Sequence, residues 1–459
     1  MLTSLSPLDG RYEKQTEPLF PIFSEMGFMR YRVIAETEYL IALSNLGLPQ
    51  LRNFSDEEKS LLRNLQNLSS EQAQIISDIE KAGYKDIPAT NHDVKAVEYF
   101  LKLELSETSL KDVLEWIHFA LTSEDTNNLS YGMMLSDGLT QVILPSLNEI
   151  YFSLNTLATK YKNAVMLART HGQSASPTTF GKELKVFAYR LRRQLDQLSQ
   201  HKILGKLNGA TGNYNAHFAA YPNVDWIKFS QDFIGLLATH YPLLTTNLLT
   251  TQIESHDAVA ELCDNLKRIN TILIGFDQDV WRYVSDGWIK QKSVAGEIGS
   301  STMPHKVNPI NFENSEGNLG MANAILNHLA SKLPISRLQR DLTDSTVQRN
   351  LGSAFGYCQV AYKYLLKGLS RITPDEEKMK VEVMAHPEVL AEAIQTILRR
   401  EGQTAAYEKL KELTRGKEIT LADIHTFINT LNVPTEIKSE LKTFTPENYI
   451  GITNKLVEL

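Results

Sequence analysis

Cysteine is nearly absent. Cys263 and Cys358 are the only two in 459 residues, and they stand far apart in helix-like contexts. That excludes a disulfide framework and a thiolate metal cluster, and it fits a reducing compartment. Glycine and proline, 24 and 16 in number, are too sparse for a collagenous or low-complexity chain. Neither a cationic leader with an apolar core nor an apolar run of about 18 residues occurs. No membrane partner is therefore expected, and the expected location is cytoplasmic. A basic excess is missing too: 47 Lys and Arg against 54 Asp and Glu leave a formal charge of −7. Nucleic acid is not an expected partner, and attraction for an anionic substrate must be local. Strand-like alternation is almost nowhere to be found, which points to an all-α class.

What is present is helical rhythm. The first third carries shorter helices with ordinary punctuation: a period over Phe28 to Leu46 ending at Gly47, then Ser55 and Glu58 in capping-box register. Further on, apolar residues recur alternately three and four apart over long stretches. Val259, Leu262, Leu266, Ile269, Leu273, Phe276, Val280 and Tyr283 form one seam; Leu319 to Leu333 form another. Looser versions run over Leu144–Tyr161, Leu184–Leu198 and Leu351–Leu365. Five long amphipathic helices describe a bundle, but the pattern alone does not choose between one intramolecular core and a bundle shared between subunits. Two loops interrupt this region, Gly205 to Gly212 and Lys290 to Pro309. Thr373-Pro374-Asp375-Glu376 reads as an N-cap, a first-turn proline and acids opening a C-terminal helical segment. The expected division is 1–116, an N-terminal helical domain; 117–369, the long-helix bundle with the loop 290–309; and 370–459, a C-terminal helical domain.

Chemistry concentrates in a few polar segments. Between Gly299 and Pro309 stand three hydroxyls, His305, Lys306 and Asn308; backbone N–H groups there can converge on an anion while Lys306 neutralises it. Arg169-Thr170-His171-Gly172-Gln173 offers a histidine, a residue type suited to donate a proton. Asn91-His92-Asp93 and a helix carrying His118 ahead of Thr122-Ser123 add two more histidines in polar settings. Ser345 and Gln348 stand in capping-box register between Arg340 and Arg349, a natural seat for phosphate or carboxylate. No histidine or cysteine pair at ligand spacing appears, so no metal is expected.

The loop GSSTMPHKVNP (299–309) resembles the signature loop of the fumarase/aspartase superfamily of lyases, whose pattern is G-S-S-x-M-P-x-K-x-N-P. Histidine before the lysine is usual in adenylosuccinate lyases, although carboxymuconate cycloisomerases share it. SPLDGRY (6–12), TNHDVKAVEYF (90–100), HFALTSEDTNN (118–128), RTHGQ (169–173), TTQIE (250–254), RDLTDSTVQR (340–349) and YEKLKELTRGK (407–417) are all similar to the bacterial adenylosuccinate lyase group. They cover nearly the whole chain, in order.

This resemblance implies a three-domain, almost all-helical fold and a homotetramer in which the long helices form a shared bundle and each active site is assembled from three subunits. It implies elimination of fumarate from adenylosuccinate and from succinyl-aminoimidazole carboxamide ribotide, with Ser300 as general base and His171 as general acid. Arg11 and Tyr12, with Ser345, Thr346 and Arg349, are expected at the phosphate. Asn91, His92, Asp93, Thr122, Ser123 and Gln252 are expected around base, ribose and succinyl group, with Arg340 and Asn314 at the same nucleotide. Lys306 and Asn308 are expected to stabilise developing carboxylate charge, and His118 and Glu313 to orient the reacting groups. No cofactor is expected, because no electrons change hands. The loop from Lys290 to Met303 is expected to close over substrate.

Overall fold

The computed structural model describes residues 2–292, 303, 306–404, 408, 410 and 419–459. Helices dominate, and the only strands among these residues are two- or three-residue pieces in four two-stranded sheets. The five long helices are where the seams place them. We label eight helices: α1 Glu25–Ser44, α2 Asp93–Leu105, α3 Ser123–Asp137, α4 Leu144–Lys160, α5 Phe180–Ser199, α6 Asp257–Ser285, α7 Ile310–Lys332 and α8 Leu351–Leu369.

Seam and burial coincide. Leu262, Leu266, Ile269, Leu273, Phe276 and Val280 of α6 are buried, as are Leu319, Ala322, Leu326 and Leu329 of α7 and Ala354, Cys358, Ala361 and Leu365 of α8. Each fully buried Leu, Ile or Phe contributes about 1.5–3 kcal/mol of transfer free energy, so the period of these helices is itself the main source of their stability.

The chain divides into two compact units. One comprises Met1–Leu147, Gln194–Thr271 and Gly317–Lys363; the other comprises Asn148–Arg193, Ile272–Glu316 and Tyr364–Leu459. In the first, α1 starts at the N-cap Ser24, whose Oγ accepts the Gly27 N–H at 3.1 Å. Residues on nearly every side of α1 are buried, Arg32 and Glu36 included. Ser55 and Glu58 make the expected reciprocal cap of the helix Asp56–Asn64. One π-helical stretch, Gly138–Ile143, joins α3 to α4. Gly138 is required there, since a Cβ would stand 2.6 Å from the Phe23 ring. A parallel pair, Ile203–Gly205 with Leu244–Thr246, flanks the glycine-rich loop.

In the second unit, an antiparallel pair joins Ile289–Gln291 to Ile372–Pro374. This revises the reading of Thr373 as an N-cap: Thr373 is paired with Lys290 in the strand, and Asp375 caps the following helix, Glu376–Met384. The C-terminal part packs its own apolar core around Leu390, Ile394, Leu398, Ile424, Ile428 and Leu441.

Candidate active site

Within the first unit, most of the candidate binding residues belong to one polar network. His92 caps α2, its Nδ1 accepting the Lys95 N–H at 3.3 Å, and its Nε2 lies 3.4 Å from Ser123 Oγ at the start of α3. Asn91, just before it, has a left-handed φ of 49°. Asp93, the first residue of α2, holds two guanidinium groups on one oxygen: Arg32 at 2.5 Å and Arg349 at 3.0 Å. Burial pushes the Asp93 carboxyl up, but Arg32 above all, with the Val94 N–H and Arg349, more than offsets it and holds the group below the usual carboxylate range. Arg349 also reaches Glu25 at 2.8 Å.

The network continues on the far side of Arg32. Its Nε donates to Asn127 at 2.9 Å, Asn127 donates to Glu124 at 3.0 Å, and Glu124 pairs with Arg340 at 2.9 Å. Arg340 in turn donates to Gln252 at 3.3 Å, and Gln252 donates to the Ala210 carbonyl in the glycine-rich loop at 3.1 Å. Residues from three distant segments, Asp93, Gln252, and Arg340 with Arg349, are thereby tied into one chain of contacts.

The loop itself hangs on Asp125. This carboxylate and Lys206, both fully buried, pair at 2.7 Å, and the carboxylate also accepts the N–H groups of Thr122, Asn208 and Gly209. Thr122 and Ser123 at the start of α3 are thus locked to the loop that carries Ala210. Positive φ at Gly209, Gly212 and Tyr214 shapes that loop.

His118 lies not in a helix but in a turn with φ 61°, after the 3₁₀ helix Lys111–Trp116. Its Nδ1 is 2.6 Å from Glu36 Oε1, and the same oxygen accepts the Thr126 hydroxyl at 2.8 Å. Burial lowers the imidazole pKa, but the charge and hydrogen bond of Glu36, with Glu98 and Asp125 behind, leave it raised.

Arg11 is exposed and Tyr12 half-buried in the turn after the short helix Pro7–Asp9. A cavity of about 190 Å³ lined by Ser6, Leu8, Asp9, Thr16 and Arg349 brings this N-terminal segment beside Arg349. The short helix of the RDLTDSTVQR segment runs Thr343–Gln348, so Ser345 lies inside its first turn and is not its cap. Asp341 takes the Thr343 N–H at 2.8 Å instead, because an Asp two residues ahead of an N–H closes a turn as well as a serine three ahead. Thr346 is exposed in the same helix.

In the second unit, the strands β1 Arg169–Thr170 and β2 Gln173–Ser174 form a hairpin with His171 and Gly172 as its two-residue turn. Their φ values, 52° and 75°, are the positive pair that a tight hairpin turn of right-handed twist demands. The tip is exposed. The base is anchored, since Arg169 pairs with Glu382, Glu382 also accepts the Trp288 indole N–H, and the guanidinium lies 5.3 Å from the Trp288 ring. A cavity of about 620 Å³ bounded by Arg169, Gly172, Glu183, Asp279, Arg282 and Trp288 opens at the hairpin.

Lys306 is exposed and its N–H bonds to the Met303 carbonyl at 3.0 Å, while Gln291 donates to the Val307 carbonyl at 3.1 Å. Asn308 and Pro309 lead into α7, where Glu313 accepts the Trp281 indole N–H at 3.1 Å and Asn314 follows. Ser300 and His305 lie outside the described residues, as does the stretch 293–302 of the loop expected to close. Among the described residues, no group of three or more His, Cys, Asp or Glu side chains could hold a metal ion. No helix among them is long and apolar enough to cross a membrane.

Sequence reasoning missed Arg32, Glu36, Asp125 and Lys206. A signal existed for the first two: charged residues in a helix that is otherwise apolar on nearly every side must be buried, and buried charges are paired.

A family model described as lyase matches residues 10–325, and one described as adenylosuccinate lyase C-terminal matches 336–450. The chain is 51% identical over 460 residues to an adenylosuccinate lyase of Haemophilus influenzae and 50% identical to one of Escherichia coli, in each case covering 100% of this chain and 98% of the relative. Among solved structures, a fumarate lyase from Mesorhizobium sp. matches with a TM-score of 0.74 at 17% identity, over 96% of each chain. A 3-carboxy-cis,cis-muconate lactonizing enzyme from Pseudomonas putida matches with a TM-score of 0.73 at 19% identity, over 96% of this chain and 95% of that one. The two structures share the fold.

Proposed function

Given that the chain belongs to the adenylosuccinate lyase family, we propose that it performs β-elimination of fumarate from adenylosuccinate, giving AMP, and from succinyl-aminoimidazole carboxamide ribotide, with Ser300 as general base and His171 as general acid. The base removes a proton from the carbon beside a carboxylate. The C–H electron pair becomes the new C=C bond, the C–N bond breaks, and the departing nitrogen takes its proton from His171. That C–H is weakly acidic, so charge flowing into the carboxylate must be met as it develops, and Lys306 and Asn308 suit that task. A serine hydroxyl becomes a base only when its alkoxide is stabilised, which calls for backbone N–H groups and Lys306 close to Ser300.

The observation that carries this reading is the setting of His171. Its two-residue turn lifts it to the exposed tip of a hairpin tied down at its base by Arg169. An acid so placed is held still yet needs a second surface to exclude water. A homotetramer with shared active sites supplies that surface. Large apolar side chains left exposed on the long helices support such an assembly: Phe152 at 60%, Tyr189 at 63%, Trp281 at 46% and Met321 at 50%.

In the first unit, Arg349 with Arg11, Tyr12, Ser345 and Thr346 takes the phosphate. Asn91, His92, Asp93, Thr122, Ser123, Gln252 and Arg340 surround the rest of the nucleotide and its succinyl group; Asn314 is assigned to the nucleotide as well. His118 and Glu313 orient their neighbours. The three-domain division at 116 and 369, the absence of a cofactor and a cytoplasmic location complete the proposal. The test is turnover of adenylosuccinate followed by absorbance. His171→Ala and Ser300→Ala should each lower kcat by about 100-fold or more with the tetramer intact by sizing. Near-normal turnover in either variant removes that assignment.

A further inference from the structure

We propose that Arg32 is a positioning residue for the reaction, acting through Asp93 to preset Arg349 for the phosphate of the nucleotide. The inference rests on the reading of Arg349 as a phosphate ligand. Arg32 touches no solvent to speak of, being 2% exposed, whereas Arg349 is at the surface with its side chain 40% exposed. The two guanidinium groups meet on a single atom, Asp93 Oδ2, at 2.5 and 3.0 Å. Asp93 Oδ1 is occupied by the Val94 N–H at 2.9 Å. Both oxygens of Asp93 are therefore engaged by the protein, which makes this carboxylate a bracket between the two arginines.

Arg32 is what keeps the bracket fixed. Its Nε is held by Asn127 at 2.9 Å, and its guanidinium carbon stands 3.7 Å from the centre of the Phe28 ring. Phe28 also lies under Arg349, at 5.9 Å. A planar fork that bonds Asp93 with one edge and Asn127 with its Nε cannot be reproduced by an ammonium on a flexible stem. With Arg32 in place, the orientation of Asp93, and through it that of Arg349, is settled at folding, so the ligand does not bear that ordering cost when it binds. Without Arg32, Arg349 is the one arginine left on Asp93 among the described residues, and the pair competes with the incoming phosphate.

The experiment compares two substrates, adenylosuccinate and its dephosphorylated nucleoside, on purified full-length variants. Arg32→Met should raise KM for adenylosuccinate by about tenfold to a hundredfold with kcat changed by less than about threefold, while kcat/KM for the nucleoside stays within about threefold of the parent. Arg32→Lys should show the same selectivity at smaller size, and it carries the test if Arg32→Met does not accumulate as folded protein. An equal loss on both substrates, or no loss on either, overturns the inference. Arg349→Ala separates the two readings. A selective loss there with an unselective one in the Arg32 variants defeats only the role of Arg32. An unselective loss in Arg349→Ala defeats the phosphate assignment and the inference with it.

Discussion

Replacing Lys206 with methionine retains most of the side-chain volume and removes a charge that lies with Asp125 wholly out of solvent, 2.7 Å away. Breaking a buried ion pair from one side costs about 3–5 kcal/mol, because the partner charge stays behind. Here the lower figure applies, about 3 kcal/mol, since three backbone N–H groups still reach the carboxylate, from Thr122 at 2.9 Å, Asn208 at 3.0 Å and Gly209 at 3.2 Å. Asp125→Ala should cost more, because it strips all four donors of their acceptor at once. Amide hydrogen exchange of the loop peptide holding Asn208 and Gly209 reads this directly. At about 1.4 kcal/mol per decade, protection in Lys206→Met should fall by roughly 150-fold, and further in Asp125→Ala. Peptides of the C-terminal core around Ile394 and Ile428 should be unaffected. Loop exchange within about threefold of the parent in Lys206→Met, or a smaller effect in Asp125→Ala, would refute the reasoning.

The remaining expectations concern charge and backbone. The Glu36–His118 contact holds the imidazole pKa above its ordinary 6.5, so its stabilisation is complete below that value and fades as pH rises through the elevated one. The Tm gap between the parent and Glu36→Gln should therefore shrink from pH 6 towards pH 9, and a gap that widens would contradict it. Asp277 is buried; burial pushes its pKa well above the usual range, and the Ser315 hydroxyl offsets only part of that. Such a group destabilises the fold increasingly as pH climbs above 3.8, so Asp277→Asn should raise Tm at neutral pH and do so less at pH 4. At Gly172 a Cβ would meet nothing within 4 Å, yet φ is 75°. Gly172→Ala should cost about 1 kcal/mol of local strain and lower kcat, Gly172→Asn should cost less, and equal activity in all three would show that the turn geometry is immaterial.

The bundle was legible because a heptad-like period reports a buried stripe whatever the partner is, and Leu262 to Val280 needed nothing else. The cap at Ser55 was legible for the same reason: both halves lie within four residues. Where two local signals compete, the reading slipped. Thr373 and Asp375 are both plausible caps, and strand pairing with Lys290 took the first of them. Ser345 and Gln348 fitted a box that the Asp341 turn pre-empted. The network of Arg32, Asp93, Glu124, Arg340 and Arg349 was legible only in part, since its members pair across the fold and no spacing rule links them. Ser300 as a base came entirely from the resemblance of the signature loop, because elementary acidity favours histidine.

The two thiols have a practical side. Cys263 and Cys358 are sealed inside the helices, at 1% and 0% exposure, and burial pushes their pKa values to about 12 and about 11. At neutral pH the nucleophilic form of either is a trace, so maleimide reagents find no target on the native chain. A cysteine introduced at an exposed position, such as Gln173 beside the hairpin tip, would take a fluorophore or spin label alone, with no background sites to remove first.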